Sequence, residues 1–564
     1  MTTKYTYLRN RTVSRFLTSV ALSVNLITCG CSSHRKELGA NSNRTGRTTI
    51  RRGLDGEPAT LDPAQATDSF SFEVLRDVYE GLTTESPTGR IIPAIAESWQ
   101  INATNTKYTF RIRTNARWSN GTPVTPQDFV NAWQRVVDPK TASPVADALR
   151  PIAHASDIIA GRLPPTSLGI HVIGKSRLQV ILSAPCPYFL QLLTHTALFP
   201  IYSVTSAESH SPKTWVSDGA YALTQWIPGE QIALKRNQYY WDHSRVLTRN
   251  VIYIFTPDEG SALREFLAGQ LDITDSVPLS SISWIKRHKS SELHLWPFLG
   301  TAYYAVNLRD PRLPKNLKLR EALAMAIDRK LLVSRVLRFG QTPAYSFVPP
   351  GTWNYTPQPW SWEQLPDKTR VALARKLYRE AGYSPTRSLK LRLLINTNST
   401  IKETAVAIAA MWKAVLGIRT EIDEQEYRVF LQSRHDPTQW DVARLGWTAD
   451  YDDASDFLDI FRAHSPNNDS GYSNTTFTTL MNIADRTADP TIRRRILEAA
   501  ERVMLSDYPV IPIYFYEADR LVKPYIGGFH PTNMNRLYSK YLYFRRRPSL
   551  SEQTHEIATT KAHK

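Results

Sequence analysis

Between Arg444 and Asp459 the chain reads RLGWTADYDDASDFLD, sixteen residues that hold an arginine, a tryptophan, a tyrosine and five aspartates. Carboxylates at this density suit three chemistries. A calcium loop starting at Asp450 would put Ala454 at its fifth position, Ser455 where the turn glycine belongs and Phe461 where the bidentate glutamate belongs, so it fails three times. An acid–base pair has neither the spacing nor a companion nucleophile. The third chemistry is charge recognition. Asp450 follows an apolar-rich strand pattern, WDVARLGW, and is flanked by Trp447 and Tyr451. A lone carboxylate between aromatic walls is an anchor for a cationic head group. For Asp452, Asp453 and Asp456 the better reading is that they cap and solvate a following helix, ASDFLDIFRA.

Other motifs remove whole classes. The chain has no GxxxxGK[ST], HExxH, GxSxG or paired CxxC, which takes away the direct arguments for nucleotide, zinc or serine-nucleophile chemistry. Cys186, in SAPCPYFL, has apolar neighbours and no nearby histidine, the setting of a buried inert thiol.

The elements that must position Asp450 follow an alternating grammar. Residues 107–124 predict a strand through Tyr108, Phe110 and Ile112 and a turn at Asn120-Gly121. A helix follows, with Thr125 as N-cap, Pro126 at its first position, Asp128 near its positive end and Phe129, Trp133 and Val136 or Val137 on one face. Residues 219–242 predict a hairpin around Pro228-Gly229, and residues 258–269 a short helix ending near Gly269, with a strand starting at Leu271. One long helix is expected over residues 317–337, another ending at Gly382, then a strand, a helix near residues 401–418 and the strand RTEIDEQEY. Helices and strands alternate throughout, so the fold class is α/β with several lobes.

The formal charge of +17 is concentrated at the ends. Residues 1–52 hold ten Lys/Arg against Glu37 (+9) and residues 545–564 five against two (+3), which leaves +5 for the interior, too little for a nucleic-acid face. Lys4, Arg9, Arg11 and Arg15 precede the apolar run FLTSVALSVNLIT, residues 16–28, in the order of a secretory signal too short to span a bilayer. It ends at LITCGCSS, which resembles a bacterial lipoprotein signal with Cys29 or Cys31 as the lipidated residue. After processing only Cys186 remains, so no internal disulfide can form. Residues 32–49 read as a polar tether.

A set of ordered segments carries a family resemblance. They are GEPATLDPA (56–64), VYEGL (78–82), ARWSNGTPVTPQDFVNAWQRVVDPKTASP (116–144), SDGAYALTQWIPGEQIALKRNQYYWD, REFLAGQLDI, LREALAMAIDRKLL, RLGWTADYDDASDFLD and YPVIPIYFY (508–516). Together they cover most of residues 50–545, and the chain resembles the oligopeptide-binding lipoproteins of bacterial ABC importers, within the extracellular solute-binding proteins of family 5. The resemblance implies a two-lobed clamp of the type II periplasmic-binding-protein kind with a third domain and a ligand cleft between lobes. It implies lobe I as residues 50–69, 196–300 and 520–545, lobe II as 70–195 and lobe III as 301–519, after a signal over 1–31, with a basic tail at 546–564. It further implies short peptides as ligands, bound as an added strand, an ABC permease with its ATPase subunits as partner, a lipid anchor in the cell envelope, a monomer, and no cofactor, metal or nucleic acid.

Carried over position by position, Asp450 matches the carboxylate that meets the peptide's α-ammonium. Arg444 and Arg434 match arginines that meet the C-terminal carboxylate at different ligand lengths, Glu57 a ligand-facing glutamate and Trp447 a pocket wall. Two departures stand out. Thr448 stands where some relatives carry a cysteine paired with one near Gly300, both absent here, and Val145 stands where a ligand-contacting tyrosine is expected. Dipeptides or cell-wall-derived peptides are an alternative ligand class; an exported hydrolase or a surface adhesin is the reading from other classes.

Overall fold

The computed structural model describes residues 47–203, 211, 213–310, 312–313, 315–384 and 387–545. Cys29, Cys31, the signal, most of the tether and the tail 546–564 lie outside the described residues. The chain enters the fold earlier than the tether reading has it: Arg47 sits 4.5 Å above the Tyr525 ring and the first strand starts at Thr49.

Three principal sheets organise the molecule. The first runs Thr49–Leu54, Asn250–Phe255, Gln231–Arg236, Tyr221–Ile227 across its width, parallel in its first pair and antiparallel after it. Its last two strands are the expected hairpin, turning at Pro228-Gly229. A second, antiparallel sheet is formed by Ala96–Ile101, Lys107–Ile112, Arg177–Ile181 and Ile170–Ile173. Along Lys107–Ile112 the buried residues are Tyr108, Phe110 and Ile112, the period of two that the sequence shows. The helix Pro126–Val137 covers this region. Asp128 accepts the Thr125 N–H at 2.7 Å, and Phe129, Val130, Trp133, Val136 and Val137 are buried. Burying each of the aliphatic and phenylalanine side chains is worth about 1.5–3 kcal/mol over exposure, so the helix is held by its face more than by its caps.

The third sheet has six strands, in the order Thr342–Pro343, Val510–Leu521, Leu293–Val306, Val442–Thr448, Lys390–Asn396, Arg419–Gln425. It is mixed: Leu293–Val306 pairs antiparallel with both its neighbours, whereas Lys390–Asn396 is parallel to its own. The helices Asp367–Glu380, Ser399–Leu416 and Pro490–Ser506 pack into the same apolar core as this sheet. A second large core joins Leu54, Val74 and Tyr253 to Phe110, Trp133 and Phe189, and so spans the first two sheets.

Two expected elements are different. The helix over 317–337 is broken: Leu317–Met325 stops, Asp328 caps a new turn by accepting the Leu331 N–H at 2.9 Å, and a π-helical stretch follows over Leu332–Leu337. Arg329 explains the break. Its guanidinium is fully buried and donates to the carbonyl of Pro512 on the strand Val510–Leu521 and to those of Ala324 and Ile327, which a continuous helix would keep for itself. The strand expected at Leu271 is reduced to single bridges from Ile273 to Arg52 and Val522.

Candidate functional site

The strand Val442–Thr448 lies inside the six-stranded sheet, and its two sides differ. Along one it pairs with Leu293–Val306 over its whole length, from Val306↔Val442 to Gly300↔Thr448. Along the other only Val442 and Ala443 meet a strand, at Leu393 and Leu394. From Arg444 onward the strand therefore has a β partner on one side only, and it leads directly to Asp450.

Alternation puts Arg444, Gly446 and Thr448 on the accessible face and Ala443, Leu445 and Trp447 on the face packed against the core. Gly446 and Gly300 are opposite-strand neighbours of one ring: a Cβ at either would collide with Tyr516. Their bare backbone lets Tyr516 lie flat on the sheet, stacked on Phe298 at 5.5 Å, with its hydroxyl 3.3 Å from the Arg444 guanidinium. Tyr514 is the other partner, at 3.5 Å. Among the described residues Arg444 has no carboxylate partner, so its charge is available to a carboxylate.

Asp450 lines a cavity of about 500 Å³ whose walls come from the first strand and helix, from His195, and from Phe298, Arg520 and Arg536. Solvent reaches its side chain through this cavity. Its backbone is fixed on both sides: the N–H donates to Asp456 Oδ2 at 3.2 Å, and the carbonyl accepts from Arg536 Nη2 at 3.1 Å. Its carboxylate has no partner among the described residues. Desolvation by the surrounding protein holds this carboxyl above its ordinary range, against the pull of Arg536.

The neighbouring aspartates are not a solvated cap. Asp453 alone caps the helix Ala454–Leu458, accepting the Ser455 N–H at 2.9 Å, and it is buried in a two-pronged pair with Arg493 at 2.7 and 2.9 Å. Asp452 instead ties two distant segments, accepting from Trp353 N at 2.7 Å and Asn533 Nδ2 at 2.8 Å. Asp456 is 4% exposed and accepts from both Trp447 Nε1, at 2.9 Å, and the Asp450 N–H. Burial, then the Asp450 charge, pushes its carboxyl well up. The reading of all three as solvated helix caps fails because the helix is a short one sunk into the core, with every residue from Ala454 to Leu458 buried.

The other expected residues are spread out. Trp447 packs on the core side of its strand and is not among the residues lining the Asp450 cavity. Glu57 accepts from Trp226 Nε1 and the Gly229 N–H, both at 2.9 Å, and so braces the tip of the 221–236 hairpin; it lines a separate cavity with Trp226 and Pro228. Arg434 follows the helix Tyr427–Ser433 and faces Asp469 at 3.8 Å, which His435 also contacts at 2.9 Å. Tyr303, whose hydroxyl burial pushes up, feels both Arg434 and Arg444. The structure thus brings Arg444 and Asp450 onto one strand path and leaves Glu57 apart.

Sequence reasoning missed the walls of the cavity. Glu73, Arg76, His195, Asp275, Arg520 and Arg536 line it from five remote parts of the chain. The one local signal was in SFEVLRDVYEGL, where Glu73 and Asp77 fall on the buried face of the helix Ser69–Val78; charges on a core-facing stripe mark a polar site or an ion-pair network.

Residues 90–469 match the family described as bacterial extracellular solute-binding proteins, family 5, middle region. The chain belongs to this family. It is 35% identical to the periplasmic murein peptide-binding protein MppA of Escherichia coli (strain K12), over 93% of this chain and 98% of that one. With the periplasmic oligopeptide-binding protein OppA of Salmonella typhimurium it shares 36% identity, over 88% of this chain and 92% of the relative. The solved unliganded open form of MppA superposes with a TM-score of 0.77 at 34% identity, covering 89% of this chain and 98% of the other. These are members of the family of binding proteins, and the expected periplasmic-binding-protein clamp is the fold this family-5 chain has.

Proposed function

We propose that this family-5 protein is the substrate-binding component of a peptide ABC importer, capturing short peptides in extended form between closing lobes and delivering them to a membrane permease. The observation that carries the reading is the strand Val442–Thr448, whose one-sided edge runs from Arg444, a guanidinium held by two tyrosine hydroxyls but by no carboxylate among the described residues, toward Asp450, a carboxylate with no partner among them. An extended peptide laid along such an edge adds a strand through its own main chain, with affinity that does not depend on sequence. Its two charged ends then meet opposite charges. Roughly 3.3 Å per residue gives about 20 Å from position 444 to position 450, the length of a short peptide.

We take the lobes to be those assigned to residues 50–69 with 196–300 and 520–545, 70–195, and 301–519, with Arg434 serving carboxylates of longer or shorter ligands, Glu57 and Trp447 acting as peripheral contacts, and Cys29 or Cys31 carrying a lipid that holds a monomer in the periplasm or cell envelope. No helix among the described residues is long and apolar enough to cross a membrane. A cell-wall-derived peptide as ligand is favoured by the similarity to MppA, whose name gives it murein peptide.

Mass spectrometry of molecules released from gently purified protein tests the proposal: short peptides are expected, and a steroid, sugar or empty protein would count against it. A pH series gives a second check. An α-ammonium beside Asp450 stabilises the carboxylate, so binding lowers the pKa of that group and releases a proton below the free protein's value. Affinity for a peptide with a free amino terminus should weaken as pH falls, beginning above the ordinary carboxylate range because Asp450 is raised. An acetylated peptide should lack that titration in calorimetry.

A further inference from the structure

Six charged side chains line the cavity that holds Asp450: Glu73, Arg76, Asp275, Asp450, Arg520 and Arg536. Four are committed to the frame. Glu73 pairs with Arg52 and, at 3.3 Å, with Arg520. Arg520 also reaches Asp275 at 3.0 Å, and Arg536 reaches Glu85 at 2.9 Å. The two that remain have opposite charge. Neither the Asp450 carboxylate nor the Arg76 guanidinium has a hydrogen-bond or ion-pair partner among the described residues, and they do not pair with each other.

Arg76 differs from the structural arginines of this protein in having no hydrogen bond or ion pair among the described residues, whereas a buried Nε without an acceptor is shared with the paired Arg52 and Arg493. Arg329, fully buried, donates to three main-chain carbonyls. Arg76 stands in the last turn of the helix Ser69–Val78, its Nε buried with no acceptor, its guanidinium 5.7 Å from the centroid of the Phe72 ring. His195 beside it adds no further positive charge: burial, with the nearby charges of Arg536 and Arg76, pushes the imidazole down to about 3, so it is neutral. Glu73 and Glu85 act on the Arg76 charge only from beyond ion-pair distance, which leaves its N–H donors for a ligand to complete.

A cavity of about 500 Å³ with one free cation and one free anion among the described residues fits a ligand end that bears both charges. In an extended peptide of three or more residues, the terminal carboxylate lies roughly 7 Å or more from the ammonium and moves about 3.3 Å further with each added residue. A carboxylate that stays close to the ammonium whatever the ligand's length must come from a side chain. We propose that Arg76 is a specificity residue of this cavity, selecting peptides with an aspartate or glutamate at their first or second position. The proposal rests on the peptide-binding reading, in which Asp450 holds the α-ammonium.

Calorimetric titration of the full mature chain with tripeptide twins tests it: Glu-Ala-Ala against Gln-Ala-Ala, and Ala-Glu-Ala against Ala-Gln-Ala. A charge-assisted hydrogen bond is worth about 1.5–3 kcal/mol, so at least one acid should bind about tenfold or more tighter than its amide twin. Arg76→Gln should bring the acid-to-amide affinity ratio to about one, and Arg76→Lys should keep part of the preference as a point charge. Equal affinity within both pairs on the native protein, which needs no variant, overturns the subsite and leaves the peptide reading standing. The subsite also falls if Arg76→Gln weakens Ala-Ala but spares the acidic tripeptides, since Arg76 would then serve the terminal carboxylate of a dipeptide. Binding of no tripeptide at all overturns the peptide reading, and the subsite with it.

Discussion

Replacing Asp450 with asparagine should weaken peptides with a free amino terminus by about 2–5 kcal/mol, thirtyfold or more, and acetylated peptides hardly at all. The size follows from what the ligand would leave behind. A bound peptide covers the cavity and takes the water from Asp450, so without the carboxylate an ammonium would be sealed in with only an amide to meet it. Asparagine keeps the volume, and the Asp450 position would hold its place because it is fixed through the backbone, by Asp456 at the N–H and Arg536 at the carbonyl. The loss should thus appear in affinity and leave the unfolding transition in place. Titration of both peptide types against both proteins separates the outcomes: equal losses for free and acetylated peptides would mean that Asp450 shapes the cavity without recognising the charge.

What the sequence made legible is what local pattern encodes. The strand before Asp450, the 221–236 hairpin and the helix starting at Pro126 all stand where alternation, Pro-Gly and the Thr-Pro cap put them. Asp450 also stood apart in the sequence, because it follows the strand, whereas Asp453 caps the next helix and Asp456 lies in it. Two kinds of information were hidden. Arg329 breaks a helix that reads as continuous, since its carbonyl partner Pro512 lies 183 residues away. The opposing wall was hidden too: Arg76, Arg520 and Arg536 meet Asp450 only through tertiary folding, and nothing in their own segments distinguishes a paired arginine from an unpaired one. Glu57 shows the same limit, since its expected role came from the resemblance alone and its bonds to Trp226 and Gly229 join it to a hairpin far along the chain.

The turn that presents Asp450 depends on a pair that should be the most sensitive point of its surroundings. Arg493 and Asp453 are 4% and 2% exposed and joined by two hydrogen bonds, and the Arg493 guanidinium lies 5.2 Å from the Tyr188 ring centroid. Tyr188 in turn stacks on Tyr451 at 4.4 Å, so the pair also underlies the contact between the segment near residue 188 and the Asp450 turn. Arg493→Ala leaves a buried carboxylate without a counter-charge, which costs about 3–5 kcal/mol. Asp453→Ala should lose a similar amount, because it strands the arginine and removes the N-cap together. Asp453→Asn keeps a capping oxygen and should fall between Asp453→Ala and the native chain. Combining it with Arg493→Met should recover part of the loss, since the buried pair then bears no unmatched charge. The exposed pair Lys318–Glu380, at 2.8 Å, is the control: Lys318→Ala should change stability by less than about 1 kcal/mol. Urea unfolding followed by tryptophan fluorescence reads every variant against the native chain, and an Arg493→Ala midpoint no lower than that of Lys318→Ala would show that the turn holding Asp450 is supported by packing alone.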